Sequence, residues 1–287
     1  MKKILGTGVA LALMAGTGFA ADLPVYKAPV KVSVWDIAIG GNVASDYNFR
    51  GISQSDRHAS GGAYFELQYN GIINGQLYFA TAMQAIDLQT GTEVDFYAGW
   101  RNTFGKLSLD IGYIYYWYPK EKPTYGNAVA FDTDFQEVYV KAAYAITPDL
   151  TFGLSVFYTP DVLHLSTAAG LNGLDGIYTE ASLKWVTPLA TPTRYGPLGM
   201  YVSGAVGYWD IEQNAAIFGG VDVSYTYYNV GVAFTLSALT LDLRYHDTDL
   251  SAAECVAFTG FGPAGRWCSG AFIAKLSFDT LLSKIKN

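Results

Sequence analysis

The chain has 287 residues and a formal net charge of −7; it is 51% hydrophobic but only 15% charged, with 31 Gly, 22 Tyr and 2 Cys. This composition excludes a disordered tail, a coiled coil, a collagen and a disulfide scaffold. An acidic balance without a basic cluster also argues against a nucleic-acid binder.

Lys2 and Lys3 precede a short apolar run, Ile4 to Ala15, and Gly18-Phe19-Ala20 places small residues at the −3 and −1 positions of a cleavage site. That is the form of a secretory signal peptide, expected over 1–20. The run is too short to span a bilayer as a helix, and no second run of about 20 apolar residues follows. An exported hydrophobic chain of this kind is either a soluble β protein or an outer-membrane barrel. An extended periplasmic segment is expected over 21–33.

From Trp35 onward the apolar residues recur with period two. Twelve strands are expected, all-β and antiparallel. The apolar faces begin with Trp35, Ile37, Ile39, Val43 and continue through Phe65, Leu67, Tyr69; Leu77, Phe79, Met83; Val94, Phe96, Trp100; Leu109, Ile111, Tyr113; and Val138, Val140, Tyr144. The second half adds Phe152, Leu154, Val156; Ile177, Leu183, Trp185; Val202, Val206, Tyr208; Val230, Val232, Phe234; Leu239, Leu241, Leu243; and Leu276, Phe278. Alternation alone fits a sandwich core as well as a lipid-facing wall. The connections favour the wall. Four of one alternating set are short (Asn70 to Gly75, Asn102 to Lys106, Thr147 to Asp149, Ser237 to Ala238), its fifth, Thr187 to Pro197, is longer and Pro-rich, and the other set is generally longer. Short periplasmic turns, longer external loops and an even strand count describe an up-and-down transmembrane β-barrel, expected over 34–278. Trp100, Trp117, Trp185 and Trp209 fall near strand ends, as interface girdles do. Residues 279–287 would form a periplasmic tail after the terminal aromatic Phe278.

The opposite parity defines the lumen. It carries the acids Asp36, Asp46, Glu66, Glu93, Asp95, Asp110, Glu137, Glu180 and Asp242, and the bases Arg50, Arg101, Lys141, Lys184, Arg244 and Lys275. Nine acids against six bases imply a mild cation preference if the lumen conducts. The same residues fit a salt-bridged plug that passes nothing. Extending the parity of strand one past Ser45 turns Asp46, Asn48 and Arg50 inward and Tyr47 and Phe49 outward. Many inward positions are small (Ala38, Gly40, Ala80, Ala82, Gly99, Gly112, Gly153, Gly207), which favours an open lumen unless loops fill it. Inward tyrosines such as Tyr64, Tyr78, Tyr97, Tyr139, Tyr178, Tyr201 and Tyr227 fit packing better than stacking on sugars.

The stretch Ser45-Asp46-Tyr47-Asn48-Phe49-Arg50-Gly51-Ile52-Ser53-Gln54-Ser55 resembles the signature of the TorF family of porins, bacterial outer-membrane β-barrels. Glu93 to Trp100, Leu109 to Pro119 and Phe135 to Tyr139 resemble that family's following strands, so the likeness covers roughly residues 34 to 145. Ala59 to Tyr64 and Thr81 to Ala85 depart from its pattern. The segment Ala21 to Pro29 resembles the mature start of α-proteobacterial outer-membrane proteins. The resemblance implies a Gram-negative outer-membrane barrel conducting small hydrophilic solutes. Its partners would be outer-membrane lipids, lipopolysaccharide and the outer-membrane assembly machinery. Within the motif Arg50 is expected to enter the lumen and pair with Asp46 or another inward acid, or else to order the first external loop.

Cys255 and Cys268 lie in the last long connection and are expected to form a disulfide, as exported thiols do. Two cysteines with no nearby His do not make a metal site, and no cofactor is expected. The stretch His58-Ala-Ser60-Gly-Gly is loosely similar to a lipase pattern, but nothing marks the base and orienting group a nucleophile needs, so no catalytic residue is assigned. A non-conducting barrel that displays its loops is the remaining alternative; Asp132, Asp134, Asp161 and Asp210 would then face lipopolysaccharide.

Overall fold

A computed structural model gives the structure and describes residues 34–87, 91–119, 132–168, 170, 173–189, 191–212, 215–260 and 266–285. The segments expected as signal peptide and periplasmic leader lie outside the described residues.

Twelve strands carry the wall. They are β1 (Trp35–Ala44), β2 (Ser60–Ile72), β3 (Gly75–Ala85), β4 (Thr92–Phe104), β5 (Leu107–Trp117) and β6 (Phe135–Ala145). There follow β7 (Leu150–Thr159), β8 (Gly176–Val186), β9 (Gly196–Ile211), β10 (Tyr225–Leu236), β11 (Leu239–Thr248) and β12 (Ala271–Leu281). Each pairs antiparallel with its neighbours in sequence, and β1 pairs with β12, as in Gly41 opposite Phe278. The sheet is therefore closed, with no edge. Closure matters because a backbone N–H or C=O facing hydrocarbon has no water to bond. At 10 to 16 residues, the strands are long enough to cross a bilayer when tilted. Among the described residues no helix is long and apolar enough to cross.

The faces separate as their period requires. Val43, Phe79, Met83, Val138, Val140, Leu183, Val206, Val230, Leu243 and Leu276 point outward and are exposed. Aromatic rings flank this band. Trp35 packs edge-on against Tyr69 at one end, and Tyr245 packs on Phe272 at the other. At one end the hydroxyl of Tyr158 donates to Asp175 just before β8, and that of Tyr228 to Asp247 near the end of β11. Each ring thus lies on the apolar outside while its hydroxyl meets a carboxylate near the strand ends, the arrangement of an interface aromatic.

Three expectations fail here. First, β1 ends at Ala44, and the chain does not continue along the wall. It folds into the barrel as a hairpin in which Asn48–Phe49 pairs with Ile52–Ser53. Tyr47 and Phe49 are consequently buried inside rather than turned to lipid. Parity holds only while a residue belongs to the ladder.

Second, several of the small inward residues leave no open space. The ring of Tyr78 lies over its register partner Gly99, that of Tyr139 over Gly112, and that of Tyr64 over Gly40. Any side chain at these glycines would collide with the ring. Third, β12 runs on to Leu281 and is followed by a helical turn, Leu282–Ile285, so the wall extends beyond Phe278. Asp36 holds that turn, accepting from the Ser283 amide and hydroxyl at 3.2 and 2.5 Å.

The longer connections bring apolar residues to the interior. Phe49 and Ile52 of the hairpin join Val162, Leu174, Phe218, Val223, Phe258 and Trp267 of later loops. These pack on the inward wall residues Tyr116, Tyr139, Phe157, Tyr178, Trp209 and Tyr225. A hydrophobic core thus occupies the outer part of a barrel whose outside is also apolar. The last connection contains α1 (Ala252–Thr259), started by a Ser251–Glu254 capping box. Cys255 on this helix is bonded to Cys268, as expected.

Candidate channel site

The hairpin tip is the centre of the site. Phe49 pairs with Ile52, so Arg50 and Gly51 are its two turn residues, and both have positive φ, 49° and 91°. A two-residue turn of this kind suits Asn-Gly or Gly-Gly, not Arg. The unusual choice places the guanidinium at the wall. Arg50 is 1% exposed, and its two terminal nitrogens donate to Glu137 of β6 at 2.8 and 2.9 Å. The guanidinium also lies 4.2 to 4.9 Å from the centroids of Phe49, Phe157, Tyr178 and Trp209. Tyr225 of β10 donates to the Arg50 carbonyl. One loop residue therefore touches five consecutive strands. Arg50 thus faces an inward acid, Glu137, rather than Asp46, which pairs with Arg57.

The hairpin is also fixed from above. Asp46 accepts from the hydroxyls of Ser53 and Ser55 and from Arg57. The Arg57 guanidinium reaches the carbonyls of Arg266, Trp267 and Ser269, and Ser53 N donates to the Trp267 carbonyl. The disulfide-stapled connection thus holds the hairpin in place.

Most of the other inward charges have partners on the wall, either an opposite charge or an aromatic ring or hydroxyl. Arg101 on β4 pairs with Glu66 on β2 and lies over the ring of Tyr78. Asp110 accepts from Tyr78, whose hydroxyl also meets that of Tyr139, each at 2.5 Å. Lys141 stands over Tyr139 and Phe157, and Lys184 over Tyr201. Glu180 accepts from Tyr178 at 2.7 Å. Arg244 grips Asp242 and reaches Asn229 on β10 and Ser203 on β9.

Glu93 and Asp95 stand apart. Both are buried on β4. Glu93 accepts from Tyr47 and Tyr118 at 2.6 and 2.8 Å. Asp95 keeps one buried oxygen without a hydrogen-bond partner. Neither forms an ion pair among the described residues.

A pocket with several polar and charged side chains borders the hairpin on its far side. It is lined by Asn42, Asp46, Asn48, Gln84, Asp242, Arg244, His246 and Lys275. Inward parity turned Asn48 inward but did not reveal Arg57 or the inward roles of Tyr47 and Phe49, because these residues belong to the loop. His58 meets Asp87 at 2.7 Å, while Ser60 donates to the Ala85 carbonyl, so the lipase-like stretch does not assemble into a Ser–His pair. Of the acidic loop residues, Asp134 accepts from Tyr115 and the Tyr118 amide, and Asp161 from Ser166 and Thr167.

A family model described as a bacterial protein of unknown function (Gcw_chp) matches residues 28–275. The chain belongs to that family. No curated protein matches it. Among solved structures, the NanC porin is similar with a TM-score of 0.48 and 10% identity, over 85% of this chain and 98% of that one. The KdgM porin gives 0.47 and 6%, over 84% and 98%. LpxR from Salmonella typhimurium gives 0.41 and 10%, over 84% and 99%.

Proposed function

We propose that the protein is a porin-like channel of a Gram-negative outer membrane, passing small hydrophilic solutes by diffusion, narrow and mildly cation-preferring. The observation that carries this reading is a charged, hydrogen-bonded inner wall that continues past the hairpin. Arg101, Asp110, Lys141 and Arg244 remain partly exposed there. A barrel serving only as an anchor needs no such lining, since burying charge costs several kcal/mol per ion before pairing offsets it. The first stretch of the resemblance to the TorF porins, Ser45 to Ser55, forms the hairpin, which would close the external side in the state described. Outer-membrane lipids and lipopolysaccharide would surround the apolar band.

The packed aromatic core supports a second reading, a non-conducting structural barrel that displays its loops. Single-channel recording of folded, inserted protein under a salt gradient separates the two. Discrete steps with a cation-favouring reversal potential are the expected result. A silent bilayer, from protein shown to be folded by its heat-modifiable gel mobility, supports the second.

A further inference from the structure

The receptor for Arg50 is built mostly by the wall. Phe157, Tyr178 and Trp209 come from β7, β8 and β9, and Glu137 is held in place by a hydrogen bond from Tyr116. Only Phe49 leaves with the hairpin. Three rings around a buried carboxylate form a site for an organic cation: the ring faces attract the charge, and the carboxylate takes two parallel N–H bonds.

The present occupant fits imperfectly. The Nε–H of Arg50 is buried without an acceptor, and a non-Gly residue at φ 49° in a tight turn is strained. Strain retained at a position of this kind is a pointer to function.

We propose that this cage is a binding subsite for solutes bearing a guanidinium or similar organic cation, and that Arg50 occupies it as a built-in surrogate while the hairpin is docked. This rests on the channel reading and names its solute class. An arriving cation competes with Arg50, and displacing it releases the hairpin.

The test uses methylguanidinium chloride against potassium chloride at equal ionic strength, with the full chain carrying Arg50→Ala. Millimolar methylguanidinium should raise the melting temperature of this variant and block its potassium current in a concentration-dependent manner. Adding Glu137→Gln should abolish both effects. Equal melting temperature and current in the two salts would overturn the proposal. If Arg50→Ala carries no current at all, the channel reading fails, while the melting temperature still reports on the cage. Should the variant not fold, trypsin treatment of the unaltered protein decides instead. Competition should expose the bond after Arg50 faster in methylguanidinium than in potassium, and equal cleavage sinks the idea.

Discussion

The two flanks of the hairpin are built on opposite principles. Toward β5–β10 it meets rings: Phe49 packs edge-on against Tyr116 and Trp209, and Arg50 is sealed among aromatic faces with its carboxylate. Toward β11, β12, β1 and β3 it meets Asn42, Gln84, Arg244, His246 and Lys275 across a pocket. The aromatic flank fixes the hairpin, because rings and a desolvated ion pair hold one geometry. The polar flank leaves room beside it. If the protein conducts as proposed, its solute path would run off-centre, on the side of this pocket.

Removing the hairpin is the strongest way to break that contrast. Ala44 and Ser60 are register partners, so a tight turn in place of residues 45–59 joins β1 to β2 without shifting the ladder. Conductance should rise several-fold. An unchanged conductance would assign closure to the later loops that carry Phe218 and Phe258.

Glu137→Ala attacks the aromatic flank alone. It leaves the Arg50 charge buried and unpaired, which costs about 3–5 kcal/mol. The hairpin should undock for much of the time, and long open events should appear in single-channel records of a barrel whose melting is otherwise preserved. Closed times equal to those of the unaltered protein would show that the rings hold the hairpin without the ion pair.

The contrast between wall and hairpin also explains what the amino-acid sequence disclosed. The twelve strands were legible because lipid on one side and a polar lumen on the other impose period two on every crossing. The alternating loop lengths gave the expected orientation. The hairpin was not legible, because Tyr47 and Phe49 are apolar for a different reason than Phe65 or Phe79. They are buried among other loops, and no ladder sets their direction. The glycines misled for a related reason. Gly99 and Gly112 look like empty space until register places Tyr78 and Tyr139 beside them. Cys255 and Cys268 were legible as a pair, but the hairpin that their loop restrains was not.

That restraint predicts a smaller effect. Cys255→Ser with Cys268→Ser opens a covalent loop whose ends are 13 positions apart, worth on the order of 3 kcal/mol in the chain-entropy model. Trypsin should cut faster after Arg266, and brief openings should become more frequent without the long events expected of Glu137→Ala. Faster cutting with unaltered gating would mean that the aromatic flank alone holds the hairpin.

The smallest expected effect concerns which flank conducts. Paired charges cancel at a distance, so Glu66–Arg101 and Asp242–Arg244 contribute little net field. Glu93 and Asp95 have no such counter-charge and are the source of a cation preference if ions pass near β4. Glu93→Gln with Asp95→Asn should then move the reversal potential toward zero under a salt gradient. Arg244→Gln tests the other flank, since it unmasks Asp242 beside the polar pocket and should move the potential the opposite way. An off-centre path requires the Arg244→Gln shift to be the larger of the two. Both shifts should shrink in molar salt, where screening falls to about 3 Å. A larger shift from the β4 pair would place the path on the side that the aromatic core now closes, and the hairpin would then have to undock before any ion passes.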